Sequence, residues 1–182
     1  ENELKKLVEK LNIVLATSVT GKGTLSDDHP NNLGVVGSNG GSLFTREFLN
    51  KSDLIIFLGC RAGSVTTEKW KYPSKDKKII HIDIDPNVIN SNYKSYLSLV
   101  AEIRQTLKVF NKFVVKQDFK GNQILKEIKR KKFKEFNKLC AVNSGLIKPE
   151  RVVKELNNLL PENTYIVADP GTPCPYFAAY YK

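Results

Sequence analysis

The 182 residues predict an α/β fold, doubly wound, with a mainly parallel sheet carrying helices on both faces. Three observations lead there. The segments NIVLAT, LIIFLG and KIIHIDID are nearly continuous apolar runs rather than alternating ones, the pattern of parallel strands covered on both sides. Helical periodicity recurs between and after these runs. Each run then passes into a polar, Gly- or Asp-rich loop, the position where open α/β sheets gather their ligands.

In chain order, ENELKKLVEK reads as an amphipathic helix over about Glu3 to Leu11, followed by a strand at Ile13–Thr17. The loop TGKGTLSDDHPNNLG comes next. It is not a Walker loop, because the position five before Gly21 is Ala16, and Gly23 rather than a hydroxyl residue follows Lys22. A helix is expected near Ser42–Leu49, then strands at Leu54–Gly59 and Lys78–Asp85. The turn-rich PNVINSNYKS leads to a helix expected over Ser98–Phe113, and Val114–Gly121 is linker-like. Between Gly121 and Leu139, Leu125, Ile128, Phe136 and Leu139 fall at helical spacing. Lys129, Arg130, Lys131, Lys132 and Lys134 are placed mostly on the remaining faces, as a solvated surface. VNSGLIKPE reads as a loop in which Pro149 opens a further helix, ending near LLPEN. A strand is expected at TYIVAD, running into PGTPCP, and YFAAYYK is given no element of its own. The division is therefore 1–120 as a central doubly wound unit, incomplete at its N-terminus, 121–148 as basic helix and linker, and 149–182 as the truncated start of a following α/β domain.

Composition narrows the function classes. Hydrophobic content of 41% and charged content of 26% describe a soluble globular chain. No apolar run approaches the roughly 18 residues of a membrane helix, so no membrane association and a cytoplasmic location are the expectation. Cys60, Cys140 and Cys174 are far apart, with neither a C-x-x-C pair nor a histidine cluster, which argues against a disulfide framework or a metal site. The net charge of +10 could attract a polyanion, yet much of it sits in 121–139, without the interleaved aromatic residues that stack on bases. No nucleic-acid partner is expected.

Candidate chemistry lies in four loops at carboxyl ends of strands: TGKGTLSDDHP, GCRAGSVTTEKW, DIDPNVI and DPGTPCP. In the second, Gly59 allows close approach to the backbone, Arg61 can clamp a diphosphate, and Ser64, Thr66 and Thr67 offer hydroxyls. Asp83 or Asp85 is placed to hold a ribose hydroxyl. Together they suggest an ADP-like site, although Arg61 alone suits a surface ion pair and Asp85 suits a turn before Pro86. His81 is expected in the core and His29 as a loop-fixing group. Cys60 and Cys174 lack a partner that would make a thiolate. No catalytic residue is assigned.

GKGTLSDDHPNNLGVVG, LIIFLGCRAGSVTT, KIIHIDIDPNVI and IKPERVVKELNNLLPENTYIVADPGT, in this order and spacing, resemble the acetolactate synthase group of thiamine-diphosphate enzymes. The resemblance spans the whole chain but about a third of a typical member. It implies a Rossmann-like central domain followed by the start of the diphosphate-binding domain, in an enzyme that uses thiamine diphosphate and Mg2+ to decarboxylate and join 2-oxo acids, as a homodimer or homotetramer. In members whose central domain binds FAD, the corresponding positions are Gly37, Gly40, Gly59, Arg61, Asp83 and Asp85; other relatives bind ADP, coenzyme A or nothing. Gly171 and Thr172 align with a D-x-G-Q turn near the thiamine diphosphate. The chain departs from the family's R-F-D-D-R-V-T-G run at Arg61–Thr67, and has Thr172 and Pro173 for the commoner Gln and His. The fragment alone is expected to be inactive. The alternative function is a non-catalytic nucleotide, FAD or coenzyme A binding module of the same fold.

Overall fold

The computed structural model describes residues 2–142 and 145–182. Its first half opens with helix α1 (Asn2–Leu11), which buries Leu7 and Val8 and ends where Asn12 turns left-handed at φ 49°. Asparagine tolerates that conformation, and it stops helices for this reason. Strand β1 (Leu15–Thr17) follows and pairs in parallel with β2 (Asn32–Val35), slipping register between Leu15 and Ala16. Helix α2 (Leu43–Lys51) begins at a capping box: Ser42 Oγ accepts from Thr45 N, and Thr45 Oγ1 accepts from Ser42 N.

The second half is a separate parallel sheet in the order β3 (Leu54–Leu58), β4 (Lys78–Asp83), β5 (Leu97–Val100). Phe57, Ala62, Ile79 and Tyr93 form its core, with Ile55 and Cys60 against it. Helix α3 (Ile103–Phe113) is capped by Glu102, whose carboxylate accepts from Arg104 N and Gln105 N at 2.8 Å each. The helix expected from Ser98 therefore starts five residues later. LSLV at 97–100 is a strand bonded to Ile80–Asp83, and four consecutive residues with an apolar majority did not separate the two readings.

Residues 114–120 cross the end of α1, where Gln117 N donates to Lys10 O and Phe119 N to Leu11 O, both at 3.1 Å. This linker supplies donors to helix-terminal carbonyls that would otherwise lack them. It delivers the chain into α4 (Gly121–Cys140), which buries Leu125 and Phe136. Leu33, Val36 and Leu125 make a second core, joined by Val14, Ala16, Phe48, Leu49 and Ile128. Helices α5 (Pro149–Leu159) and α6 (Pro173–Tyr180) complete the described chain. Pro149 opens α5 as expected. The loop expected at VNSGLIKPE includes Asn143 and Ser144, which lie outside the described residues.

Strand β2 and the C-terminal elements also differ from the sequence reading. Strand β2 was not anticipated, because NLGV carries Asn32 and Gly34. Asn32 is buried and spends its side-chain amide on the Leu25 and Ser26 carbonyls, both at 3.0 Å. The strand expected at TYIVAD does not form: Tyr165 is 95% and Val167 98% exposed, and among the described residues no strand adjoins it. The YFAAYYK segment instead supplies most of α6, whose Tyr180 stacks on Phe136 at 4.4 Å between ring centroids.

The basic helix is not a solvated face throughout. Lys129 Nζ donates to His29 O at 2.7 Å, and Lys132 Nζ donates to Ala179 O at 2.9 Å, lying 5.5 Å from the Tyr180 ring centroid. Burial, reinforced by the Lys22 charge, pushes the Lys132 ammonium down to about 8 from 10.5; Asp27 opposes that shift and Lys129 adds to it. Between these values the unfolded chain holds a proton that the folded chain has released, so this group's contribution to stability rises with pH from about 8 towards 10.5. Urea midpoints across that window should climb more in the native chain than in Lys132→Met, which lacks the group; the thiols of Cys60 and Cys140, raised by desolvation, act in the opposite direction in both proteins alike. Equal pH profiles for the two chains would show that Lys132 titrates normally.

Candidate functional site

The loops after β2 and β3 meet at the carboxyl ends of the strands. Ser38 N donates to Val65 O at 2.9 Å. Gly37, at φ +93°, makes that contact possible: a Cβ there would stand 2.2 Å from Val65 O and 2.7 Å from Thr66 Cα. Gly40 is confined less tightly, by side chains: a Cβ there would stand 2.8 Å from Val35 Cγ1 and 3.0 Å from Ala178 Cβ. These two glycines let polypeptide pack on polypeptide.

Beyond Val65 the chain makes a left-handed turn through Glu68, Lys69 and Trp70, at φ 51°, 57° and 60°. Such residues cost of order 1 kcal/mol or more each and need compensation. Thr67 provides part of it, donating through Oγ1 to Gly63 O at 2.9 Å and accepting from Trp70 N at 3.1 Å. Glu68 provides more: both its carboxylate oxygens accept from Arg46 Nε, at 2.6 and 2.8 Å. The turn raises Lys69 and Lys71 beside Ser38, Ser64, Val65 and Glu68 around a cleft of about 340 Å³. Because Glu68 is committed to Arg46, the cleft carries uncompensated positive charge.

Of the residues singled out in the sequence, Gly59 sits at the end of β3 with φ +57°, its α-carbon facing Ile103. Arg61 is exposed; its backbone carbonyl accepts from Asn92 Nδ2 at 2.8 Å, and no carboxylate pairs with its guanidinium among the described residues. Asp83 is 8% exposed and accepts from Asp85 N at 3.0 Å, while Asp85 accepts from Asn87 N and Nδ2 at 2.9 Å each. Both carboxylates thus organise the DIDPN turn. Gly171 and Thr172 lie in a separate exposed turn, where Asp169 Oδ2 accepts from Gly171 N at 2.9 Å. The structure brings Gly37 together with Ser64–Thr66, and leaves the 169–172 turn apart from that cleft's lining. Lys69 and Lys71 carry no signal in the sequence: only the three-residue left-handed turn aims them, and nothing in TTEKWK announces it.

The remaining candidates have structural partners. Lys22 is ion-paired with Asp27. His29 accepts from Asn31 N at 3.1 Å and meets Glu9 at 3.2 Å, fixing its loop. His81 is 2% exposed, edge-on to Phe57, with Nε2 3.1 Å from Cys60 O. Burial raises the Cys60 thiol, which keeps it protonated and unreactive at neutral pH.

Parallel strands whose carboxyl-end loops gather around one cleft define a Rossmann-like α/β domain. The chain belongs to the family described as thiamine pyrophosphate enzyme, central domain, which matches residues 1–110. It is 34% identical over 99% of its length to a probable acetolactate synthase large subunit of Methanococcus aeolicus, covering 32% of that protein. It is 33% identical over its full length to the acetolactate synthase large subunit of Buchnera aphidicola subsp. Schlechtendalia chinensis, again covering 32% of it. To the acetolactate synthase isozyme 3 large subunit of Escherichia coli K12 it is 28% identical over 98% of its length. The chain spans about a third of the length of these relatives.

Proposed function

We propose that this chain is the central portion of a thiamine-diphosphate-dependent enzyme of the acetolactate synthase type, acting on 2-oxo acids, and that its strand-end cleft holds the diphosphate of an adenine-containing cofactor such as FAD or ADP. The observation that carries the second part is the cleft itself: Lys69 and Lys71 in its lining, the Ser64 hydroxyl beside them, and in the same loop Arg61, which has no carboxylate partner among the described residues. The match of named acetolactate synthases over nearly the whole chain favours the enzyme over a free-standing binding module.

The residues present do not compose a thiamine diphosphate and Mg2+ site. The Asp169–Thr172 turn is exposed, its carboxylate is engaged by Gly171 N, and no group of three His, Cys, Asp or Glu residues suited to a metal occurs among the described residues. In this reading the chain's own task is to hold and orient a diphosphate. Lys69 and Lys71 supply point charges and Arg61 a planar two-pronged donor.

If so, FAD or ADP raises the melting temperature of the full natural polypeptide, since a ligand that binds only the folded state stabilises it. Arg61→Ala and the pair Lys69→Ala with Lys71→Ala should each remove most of that shift, because a charge-assisted contact contributes roughly 1.5–3 kcal/mol. Lys22→Ala should leave it intact, its ammonium being engaged by Asp27. An unchanged shift in both the arginine and the lysine variants would place the diphosphate elsewhere.

A further inference from the structure

Among the residues that line the cleft, Glu68 is the one carboxylate, and it stands in the same turn as the two ammonium groups of Lys69 and Lys71. A free carboxylate there would pair with those lysines and repel a phosphate, leaving a lining close to self-neutral. It is not free. Arg46 Nε donates to both Glu68 oxygens, at 2.6 and 2.8 Å, with the Glu68 side chain 16% exposed. A pair so sheltered is screened by salt less than one on the open surface. Neither Lys69 nor Lys71 has an ion-pair partner among the described residues.

Arg46 itself lies outside the lining, and the fold sets its position. It sits in the first turn of α2, where Arg46 N donates to Ser42 O at 3.1 Å and the buried Thr45 shares the capping box with Ser42. Ahead of that cap, Gly41 N donates to Gly37 O at 2.8 Å, and Ser38 N to Val65 O at 2.9 Å. Residues 37–46 are therefore tied to the loop of the cleft near both ends, by a backbone bond at Val65 and by the ion pair at Glu68. The backbone bond and the capped helix hold the guanidinium against the carboxylate in advance, which lowers the entropy that forming the pair would otherwise cost.

We propose that Arg46 sets the anion specificity of the cleft: by sequestering Glu68 it leaves Lys69 and Lys71 available to a phosphate-bearing ligand, as a positioning residue that acts through Glu68 rather than by touching the ligand. This rests on the reading of the cleft as a diphosphate site. The competing role for the pair is a staple that merely fastens α2 to the loop. The two roles diverge on removal of the carboxylate. A staple is broken by losing either partner, whereas a sequestered charge is harmful only when its partner is lost first.

Calorimetric titration of the full natural polypeptide with ADP, at several ionic strengths, separates them. Arg46→Met leaves Glu68 unpaired beside the lysines and should weaken ADP binding on the order of ten- to a hundredfold, a loss that shrinks as salt rises. Arg46→Met combined with Glu68→Gln should recover most of the affinity although the ion pair is gone. Glu68→Gln alone should bind ADP at least as tightly as the native chain, and it decides the matter if Arg46→Met does not fold. Weaker binding by Glu68→Gln, native affinity in Arg46→Met, or a double variant as weak as Arg46→Met would each overturn the inference while the diphosphate reading stands. ADP binding that is absent from the native chain, or that survives Lys69→Ala with Lys71→Ala, would overturn that reading and this inference with it.

Discussion

Gly37→Ala is expected to destabilise the chain by about 2–5 kcal/mol, combining roughly 1–2 for forcing a side chain into the left-handed region with about 1–3 for overpacking. The second contribution is unavoidable because the obstructing atoms, Val65 O, Thr66 Cα and Thr66 O at 2.2–2.7 Å, are all backbone and cannot swing aside. Relief requires the 63–67 loop to retreat, which breaks the Ser38 N to Val65 O bond and moves Ser64 and Val65, two walls of the cleft. Stability and diphosphate binding should therefore fall together. Gly63→Ala is the matched control in the same loop: nothing lies within 4 Å of its added methyl and its φ is not in the positive range. Urea denaturation of both variants, with FAD or ADP titrated into each, reads the two effects. A Gly37→Ala chain as stable as Gly63→Ala would mean that the two loops are not in contact.

Where the sequence was readable, two signals agreed; where it misled, only one was present. LIIFL and KIIHID were legible as parallel strands because apolar continuity and flanking turn residues coincide, and they pair in register from Leu54↔Lys78 to Leu58↔Ile82. Strand β2 was illegible because its polar Asn32 is satisfied by loop carbonyls far from any strand pattern. TYIVAD has a strand's composition, but strands exist only against a neighbour, and none adjoins it among the described residues. The glycines of the site were found by resemblance, yet Gly37 and Gly40 serve backbone and side-chain packing, a role that depends on what lies opposite them in space. Arg61 stands out in the sequence by its chemistry and has no carboxylate partner among the described residues, while Lys69 and Lys71 are aimed only by the left-handed turn.

Leu125→Ala should cost about 2–5 kcal/mol, the range for emptying a fully buried leucine site, and its significance lies in what that side chain joins. Leu125 is 0% exposed and packs on Leu33 and Val36, so α4 contributes to the core of the β1–β2 sheet even though it lies beyond residues 1–110 matched by the central-domain family. Lys129 and Lys132 reinforce the same attachment through the carbonyls of His29 and Ala179, and Phe136 extends it to Tyr180 of α6. If α4 were a tether between independent units, truncating Leu125 would lower stability little and leave the exchange rates of β2 amides unchanged. A shared core predicts that stability falls and the exchange of β2 amides speeds up together, in one cooperative transition with the slope against urea preserved. Phe133→Ala, on the outward side of the same helix at 62% exposure, supplies the contrast and should change stability by less than about 0.5 kcal/mol. Comparable losses from Leu125 and Phe133 would remove the distinction between inner and outer faces, and with it the case for α4 as part of the sheet's core.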